Sequence, residues 1–269
     1  MALRDSPAAE DLAEGRPSAR RDPARLYSAV LAASSVAFLA IAASVLFWAS
    51  ADRLDVHAVS WVRRMAPDFL VDAMEVVTYA GSAVFLGPLA VLAGLLLVRR
   101  GRPEAAVFVS AAFVGSLFVS QSLKALFQRG RPELEDPFVQ LTTYAFPSGH
   151  SFGATATYGA LALVLASAAV ERRHRVGLLG IATALILVIG GSRVILGRHY
   201  ALDVLAGMAG GVALVSALLL VLERSRRPGL RLELFAGKQQ PQRRGLDSKL
   251  YGRLEENGLP VDGGPGGAP

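Results

Sequence analysis

Long apolar segments separated by short polar ones dominate the chain. Six of these segments cover residues 28–50, 78–98, 104–124, 149–170, 177–195 and 202–222. An α-helix crosses the hydrocarbon core of a bilayer with about 20 residues, and helices are the only form in which separate segments of this length span it. The pattern therefore predicts an all-α protein built as a bundle of six transmembrane helices.

The polar segment after the first span has the periodicity of a helix that lies in the membrane interface. Leu54, Ala58, Trp61 and Met65 recur at helical spacing, and Asp55 and two arginines lie off this stripe. An amphipathic helix of this kind places its apolar face at the boundary of the hydrocarbon. We expect residues 54–65 to lie along the interface.

The stretch from residue 67 to residue 98 is too long for one upright span. Asp68, Asp72 and Glu75 fall on one helical face in its first part. We expect this first part to lie near the interface or to tilt, and the three acids to be solvated and not catalytic.

The two ends of the chain are polar and predict disorder. Residues 1–25 are rich in charge, and residues 223–269 are basic at first and then rich in glycine and proline. Residues 26–222 contain all six spans and form the predicted membrane domain. The first span is too long and its leader too acidic for a typical cleaved signal, so we expect an uncleaved signal anchor.

Composition agrees with a membrane protein. Hydrophobic residues make up 52% of the chain and charged residues 19%, and the mean hydropathy is +0.41, too apolar for an ordinary soluble domain. Cysteine is absent, which excludes disulfides, thiolate metal sites and a cysteine nucleophile. Most arginines flank the spans or lie in motifs, so the basic pI reflects topology, and we expect no nucleic-acid partner.

The arginines also predict the orientation. With the N-terminus in the cytoplasm, the cytoplasmic flanks of the spans hold thirteen arginines and the opposite flanks hold eight Lys and Arg residues. This bias follows the positive-inside rule. It predicts a plasma-membrane protein with both termini in the cytoplasm and with segments 125–148 and 194–201 together outside it.

Three short polar motifs lie at the ends of spans on that outer side. They read K-x6-R-P at residues 124–132, P-S-G-H at 147–150 and S-R-x5-H-x3-D at 192–203. This set of residues is typical of a site that handles phosphate groups, because phosphoryl transfer depends mainly on positioning and on stabilising negative charge. Such a site needs fixed positive charge, which Lys124, Arg131 and Arg193 can supply. Ser148 and Gly149 begin the fourth span, where backbone N–H groups and the helix dipole can receive an anion.

The last motif also contains a candidate nucleophile. His199 and Asp203 are four residues apart, which places them one helical turn from each other. This spacing suits an imidazole oriented by a carboxylate.

Together, the three motifs resemble the type 2 phosphatidic acid phosphatase superfamily at every defining position, over about residues 26–222. The resemblance implies that His199 attacks phosphorus to form a phosphohistidine and that Asp203 orients it. It implies that His150 protonates the leaving oxygen and later activates water. It implies no metal and no cofactor, because cationic side chains take the role that Mg²⁺ has in other phosphoryl-transfer enzymes.

We therefore expect a hydrolase for a lipid phosphomonoester or diphosphate, such as polyprenyl diphosphate, phosphatidylglycerophosphate or phosphatidate, acting at the extracytoplasmic face. A lipid phosphotransferase and a non-catalytic lipid-binding or transport protein stay open as alternatives. A vanadate-dependent haloperoxidase shares the anion pocket, but its relatives are soluble. Gly207 and Gly211 form a G-x3-G that we expect to serve packing within the chain, and the oligomeric state is left open.

Overall fold

The structure is a computed structural model, and it describes residues 22–47, 49–132 and 144–225, without the side chains of residues 49–52. Within these ranges the chain is helical and contains no strand. The predicted disordered ends, residues 1–25 and 223–269, lie almost wholly outside the described residues. Of these ends, residues 23–25 and 223–224 belong to the first and last helices.

Eight helices follow one another in the described part of the chain. They are α1 (Pro23–Phe47), α2 (Ala49–Met65), α3 (Asp68–Tyr79), α4 (Ala83–Arg99), α5 (Pro103–Phe127), α6 (Gly149–Ala168), α7 (Arg172–Ile195) and α8 (Ala201–Arg224).

Five of these helices, α1, α5, α6, α7 and α8, are long and apolar enough to cross a membrane. Helices α3 and α4 together make a sixth candidate, bent by 42° at a short break. The all-α, multi-pass architecture is confirmed, with five or six candidate spans. The stretch that was too long for one upright span is thus divided by a bend at residues 80–82.

Helix α8 is the centre of the bundle and packs against α1 and α6. A Cβ added at Gly207 would lie 2.6 Å from the carbonyl oxygen of Ser148, and one at Gly211 would lie 2.7 Å from Cβ of Thr155. Both glycines are therefore needed for the close approach of α8 to α6. The prediction that the G-x3-G serves packing within the chain is confirmed.

Helix α2 presents its apolar stripe away from the bundle. Leu54, Trp61 and Met65 are exposed, as a helix in the membrane interface requires, whereas Val59 on the other side is buried. Asp55 lies off the apolar stripe as predicted, and its side chain is buried against the bundle.

Helix α3 lies beside α7, and its three acids, Asp68, Asp72 and Glu75, are exposed. Glu75 lies 3.6 Å from the guanidinium of Arg198 in a partly exposed ion pair. The interpretation of these acids as solvated residues is confirmed. Helix α3 ends just before the break, and α4 begins again at Ser82, whose hydroxyl accepts the N–H of Phe85 as a helix cap.

Candidate active site

The three polar motifs meet at one end of the bundle. The first motif lies at the C-terminal end of α5 and the second at the N-terminal end of α6, and the third joins the end of α7 to the start of α8. Successive helices in such a bundle run in opposite directions, so these four helix ends lie on the same side. The helical hairpins thus bring together side chains that are up to 79 residues apart in the sequence (124 to 203).

His199 is almost completely buried, with 1% of its surface exposed. Its Nε2 lies 3.2 Å from Nη1 of Arg131, and its Nδ1 lies 3.4 Å from Oδ2 of Asp203. A guanidinium can only donate, so Nε2 is the acceptor and the proton belongs on Nδ1, facing the carboxylate. The Nδ1 contact is not aligned as a hydrogen bond, which is common before substrate tightens a site.

The surroundings of His199 favour its neutral form. Burial lowers the pKa of His199 well below its ordinary value of 6.5, and the positive charges of Arg193, Arg131 and Lys124 lower it further. In the neutral ring with its proton on Nδ1, the lone pair is on Nε2, which faces Arg131. This is the form that an imidazole nucleophile requires.

Asp203 is fully buried and both of its carboxylate oxygens have partners. Oδ2 accepts the backbone N–H of Tyr200 at 3.0 Å in a capping box that starts α8. Oδ1 accepts Nη1 of Arg129 at 2.6 Å. These two bonds hold the carboxylate plane so that Oδ2 faces His199.

The predicted phosphate-binding cations are held by different elements. Arg131 donates from Nη1 to the carbonyl of Arg198 at 2.6 Å. Lys124, in the last turn of α5, is buried, and a Cβ added at Gly149 would lie 3.6 Å from its Nζ. The start of α6 therefore lies beside this ammonium.

Arg193, in the last turn of α7, is also buried. It donates from Nη1 to the hydroxyl of Thr78 on α3 at 2.8 Å. Its Nε has no hydrogen-bond partner among the described residues. Part of this buried guanidinium is thus left without an acceptor, and a bound anion would supply one.

Ser148 caps α6 but does not present its own amide to an anion. Its hydroxyl accepts the hydroxyl of Ser151 at 3.1 Å, and its backbone N–H donates to the carbonyl of Asp203 at 2.9 Å. This bond forms because Gly207 lets α8 approach Ser148 closely. The backbone N–H of Ser148 is therefore already bonded within the protein, and the binding of an anion at the start of α6, where Gly149 begins the first turn, stays a prediction.

His150 lies in the first turn of α6, within electrostatic range of Arg193, His199 and Lys124. Its ring lies next to Gly81, in the break between α3 and α4. A Cβ added at Gly81 would lie 3.3 Å from Cδ2 of His150 and 2.5 Å from Cγ2 of Ile189. The absence of a side chain at Gly81 thus makes room for this imidazole.

Four residues at the site were not found from the sequence. Arg129 and Asp55 form a buried ion pair of 3.1 Å, Thr78 accepts from Arg193, and Gly81 contacts His150. Arg129 gave one signal that could have been used, because it lies between Lys124 and Arg131 of the first motif. No pattern in the sequence distinguishes Asp55, Thr78 or Gly81 from ordinary residues of an interfacial segment.

Within residues 22–47, 49–132 and 144–225, no three His, Asp or Glu side chains are grouped as a metal site requires. The two buried carboxylates nearest the site, Asp55 and Asp203, share Arg129. The three cations of the motifs, Lys124, Arg131 and Arg193, lie at this same end of the bundle.

Comparison with known proteins agrees with this geometry. The PAP2 superfamily profile matches residues 105–227, which contain all three motifs. Phosphatidylglycerophosphatase B of Bacillus subtilis (strain 168) is 30% identical over 147 residues, which are 54% of this chain and 72% of that protein. The chain belongs to the PAP2 superfamily.

A solved structure shares the fold. The crystal structure of a transmembrane PAP2-type phosphatidylglycerolphosphate phosphatase from Bacillus subtilis matches with a TM-score of 0.65 and 26% identity, over 73% of this chain and 98% of that chain. With these relatives and its apolar helices, the protein is a multi-pass membrane phosphatase of the PAP2 type.

Proposed function

We propose that this phosphatase hydrolyses a phosphomonoester or diphosphate on a membrane lipid, such as phosphatidylglycerophosphate, phosphatidate or polyprenyl diphosphate. The names of both relatives refer to phosphatidylglycerophosphate. The position of the site at one end of the bundle supports a lipid substrate, because a lipid presents its headgroup there while its tail stays in the bilayer.

An apolar cavity gives further support for a substrate with a hydrocarbon tail. It has a volume of about 360 Å³ and lies between α1, α5, α6 and α8. Its lining includes Leu123, next to Lys124 in the chain, and Phe152, two residues after His150. A chain in this cavity would therefore be close to the motif residues.

The contacts of His199 carry the proposal most directly. Its Nε2 faces the cationic Arg131 and its Nδ1 faces Asp203. An imidazole held in this way attacks phosphorus from Nε2, while the carboxylate stabilises the positive charge that develops on the ring. Arg131, Lys124 and Arg193 then hold the phosphoryl oxygens.

The proposed reaction has two steps. In the first, Nε2 of His199 forms a bond to phosphorus, the bond from phosphorus to the lipid oxygen breaks, and His150 donates a proton to that oxygen. In the second, His150 takes a proton from water as the water oxygen attacks phosphorus. The bond between phosphorus and nitrogen then breaks and inorganic phosphate leaves.

Orientation is part of the proposal. The arginine distribution supports cytoplasmic ends for the chain and a site on the outer face. The chain has no cysteine. A single introduced cysteine is therefore the only thiol of the protein that a reagent can label, and its labelling shows on which side of the membrane it lies. An impermeant thiol reagent added to intact cells should label Asp72→Cys, at an exposed position of α3, and should not label Arg100→Cys, in the turn before α5. The reverse pattern would place the site in the cytoplasm.

A phosphate-release assay on the purified protein in detergent tests the activity. The three lipids named above should release phosphate, and His199→Ala should release none. A phosphoryl group recovered on a second lipid instead of in water would identify a phosphotransferase. Lipid binding without any turnover would identify a binding or transport protein.

The intermediate can be tested with an activated aryl phosphate. His150→Ala should accumulate a phosphoenzyme on such a substrate, because the good leaving group needs no proton while water has lost its base. The adduct should be acid-labile and base-stable and should map to His199. An adduct on His150 would reverse the proposed roles.

A further inference from the structure

The buried guanidinium of Arg129 joins two carboxylates. Nη1 donates to Oδ1 of Asp203 at 2.6 Å, and Nη2 donates to Oδ2 of Asp55 at 3.1 Å. The side chains of Arg129, Asp55 and Asp203 are 8%, 3% and 0% exposed, respectively. The ring of Tyr200 lies beneath this guanidinium, 4.3 Å from its carbon to the ring centre.

Asp55 also contacts the helix that carries Asp203. Its Oδ1 accepts the backbone N–H of Leu202 at 3.3 Å. Leu202 is the second residue of α8, so its N–H has no acceptor within that helix. One carboxylate on α2 thus holds both Arg129 and the first turn of α8.

The net charge of this group matters for Asp203. A single guanidinium bonded to Asp203 alone would form a neutral pair. With Asp55 as a second carboxylate, one guanidinium is shared by two carboxylates, and the three side chains carry a net charge of −1 when both carboxylates are ionised. That charge lies beside Nδ1 of His199, where a positive ring would form during attack on phosphorus.

We propose that Asp55 is a positioning residue for the reaction, acting through Arg129 on Asp203. It holds Arg129 so that Oδ2 of Asp203 faces His199, and it keeps the group negative when the imidazole becomes positive. The inference rests on the proposed role of His199 as the nucleophile. Helix α2 contributes no motif residue, but in this proposal its Asp55 affects the rate of phosphoryl transfer through Arg129 and Asp203.

The first test is Asp55→Asn in the full-length protein. The asparagine keeps the shape and an oxygen for the N–H of Leu202, and it removes the charge. We expect kcat for a lipid phosphate to fall by about 10–100-fold, as for other partners that orient a catalytic ligand, with KM within about twofold of wild type. Asp72→Asn, at an exposed carboxylate on α3, is the matched control and should behave as wild type.

A double-mutant cycle separates positioning from a merely structural effect. The rate of phosphohistidine formation from an aryl phosphate is measured in wild type, Asp55→Asn, Asp203→Asn and the double variant. If Asp55 acts through Asp203, its substitution should have almost no effect once Asp203 is asparagine. An equal fold-loss in both backgrounds would overturn the proposal, as would an Asp55→Asn variant as active as Asp72→Asn.

Arg129→Lys provides the same test if Asp55→Asn does not fold, as judged by size-exclusion and thermal unfolding in detergent. A lysine keeps the charge but lacks the planar fork that bonds two carboxylates at once. Its effect on kcat should likewise vanish in the Asp203→Asn background, and an undiminished effect would overturn the proposal. Wild-type turnover and the phosphoenzyme of His150→Ala are measured first. Absence of phosphohistidine on His199 in His150→Ala would overturn the proposed function and this inference with it, whereas normal wild-type turnover with an uncoupled cycle would overturn only the inference.

Discussion

The hydroxyl of Thr78 accepts a hydrogen bond of 2.8 Å from Nη1 of Arg193, and both side chains are buried. Thr78 is the second-last residue of α3, and Arg193 belongs to the third motif on α7. The bond fixes Nη1 of the guanidinium, whereas its Nε has no hydrogen-bond partner among the described residues. A residue outside the motifs thus sets the direction of a proposed phosphate-binding cation.

Thr78→Val tests this role because it keeps the shape and removes the acceptor. A hydrogen bond to a charged group contributes about 1.5–3 kcal/mol, so we expect kcat/KM to fall by roughly 10–100-fold, mainly through KM. Thr183→Val is the control, since the Thr183 hydroxyl bonds only to Leu179 of its own helix and is exposed. Steady-state kinetics of the two variants check the prediction, and equal activities would contradict it.

Gly81→Ala should disturb the site from the break between α3 and α4. The new Cβ would lie 2.5 Å from Cγ2 of Ile189 and 3.3 Å from His150, so the chain must shift, at a cost of about 1–3 kcal/mol. We expect a lower midpoint of thermal unfolding and a larger loss of turnover with lipid phosphates than with aryl phosphates, because the role proposed for His150 is to protonate poor leaving groups.

A second substitution, Ile189→Ala, should recover part of that loss by removing the colliding methyl group. Gly180→Ala is the matched control, because no atom lies within 4 Å of its added Cβ. A Gly81→Ala variant that matches Gly180→Ala in both measurements would show that the break does not position His150.

The pH profile should show the lowered pKa of His199. In the proposed mechanism only the neutral imidazole attacks, so protonation should inactivate the enzyme, and a pKa well below 6.5 moves that loss to lower pH. Arg131→Gln removes a nearby positive charge, which should raise the pKa of His199 and move the acid limb of kcat/KM to higher pH. Wild type and Arg131→Gln are measured with the same substrate, so ionisation of the substrate affects both pH profiles equally. An acid limb that moves to lower pH would contradict the assignment.

Chelation and vanadate test the source of the positive charge. Because Lys124, Arg131 and Arg193 are the cations assigned to the phosphoryl oxygens, we expect hydrolysis to persist in EDTA. Vanadate resembles the pentacoordinate phosphorus and should inhibit. Loss of activity in EDTA that a divalent ion restores would contradict a metal-free mechanism.

The helical architecture could be predicted because it depends on local properties. The length of each apolar run sets a span, and the fixed spacing of the motifs places Lys124, His150 and His199 at helix ends on one side. The structure brings these residues together as expected. The stretch from residue 67 to residue 98 was recognised as too long for one upright span, but a tilt or an interfacial segment was expected, and the structure divides it by a bend between α3 and α4.

The supporting contacts could not be predicted, because they join distant parts of the chain. Arg129 pairs with Asp55 across 74 positions, and Arg193 bonds Thr78 across 115. Asp55 lies on a polar helix face that could equally have met water. Which polar side chain turns inward depends on how α2 and α3 pack against the bundle, and the sequence pattern does not contain that information.

The backbone bond from Ser148 to the carbonyl of Asp203 joins the second and third motifs without any side chain. Substitution of His150 or His199 leaves both of its atoms in place. Inactive variants should therefore keep the shape of the pocket and retain an uncleaved lipid. They are suitable baits for capturing the natural substrate from a membrane extract and identifying it by mass spectrometry.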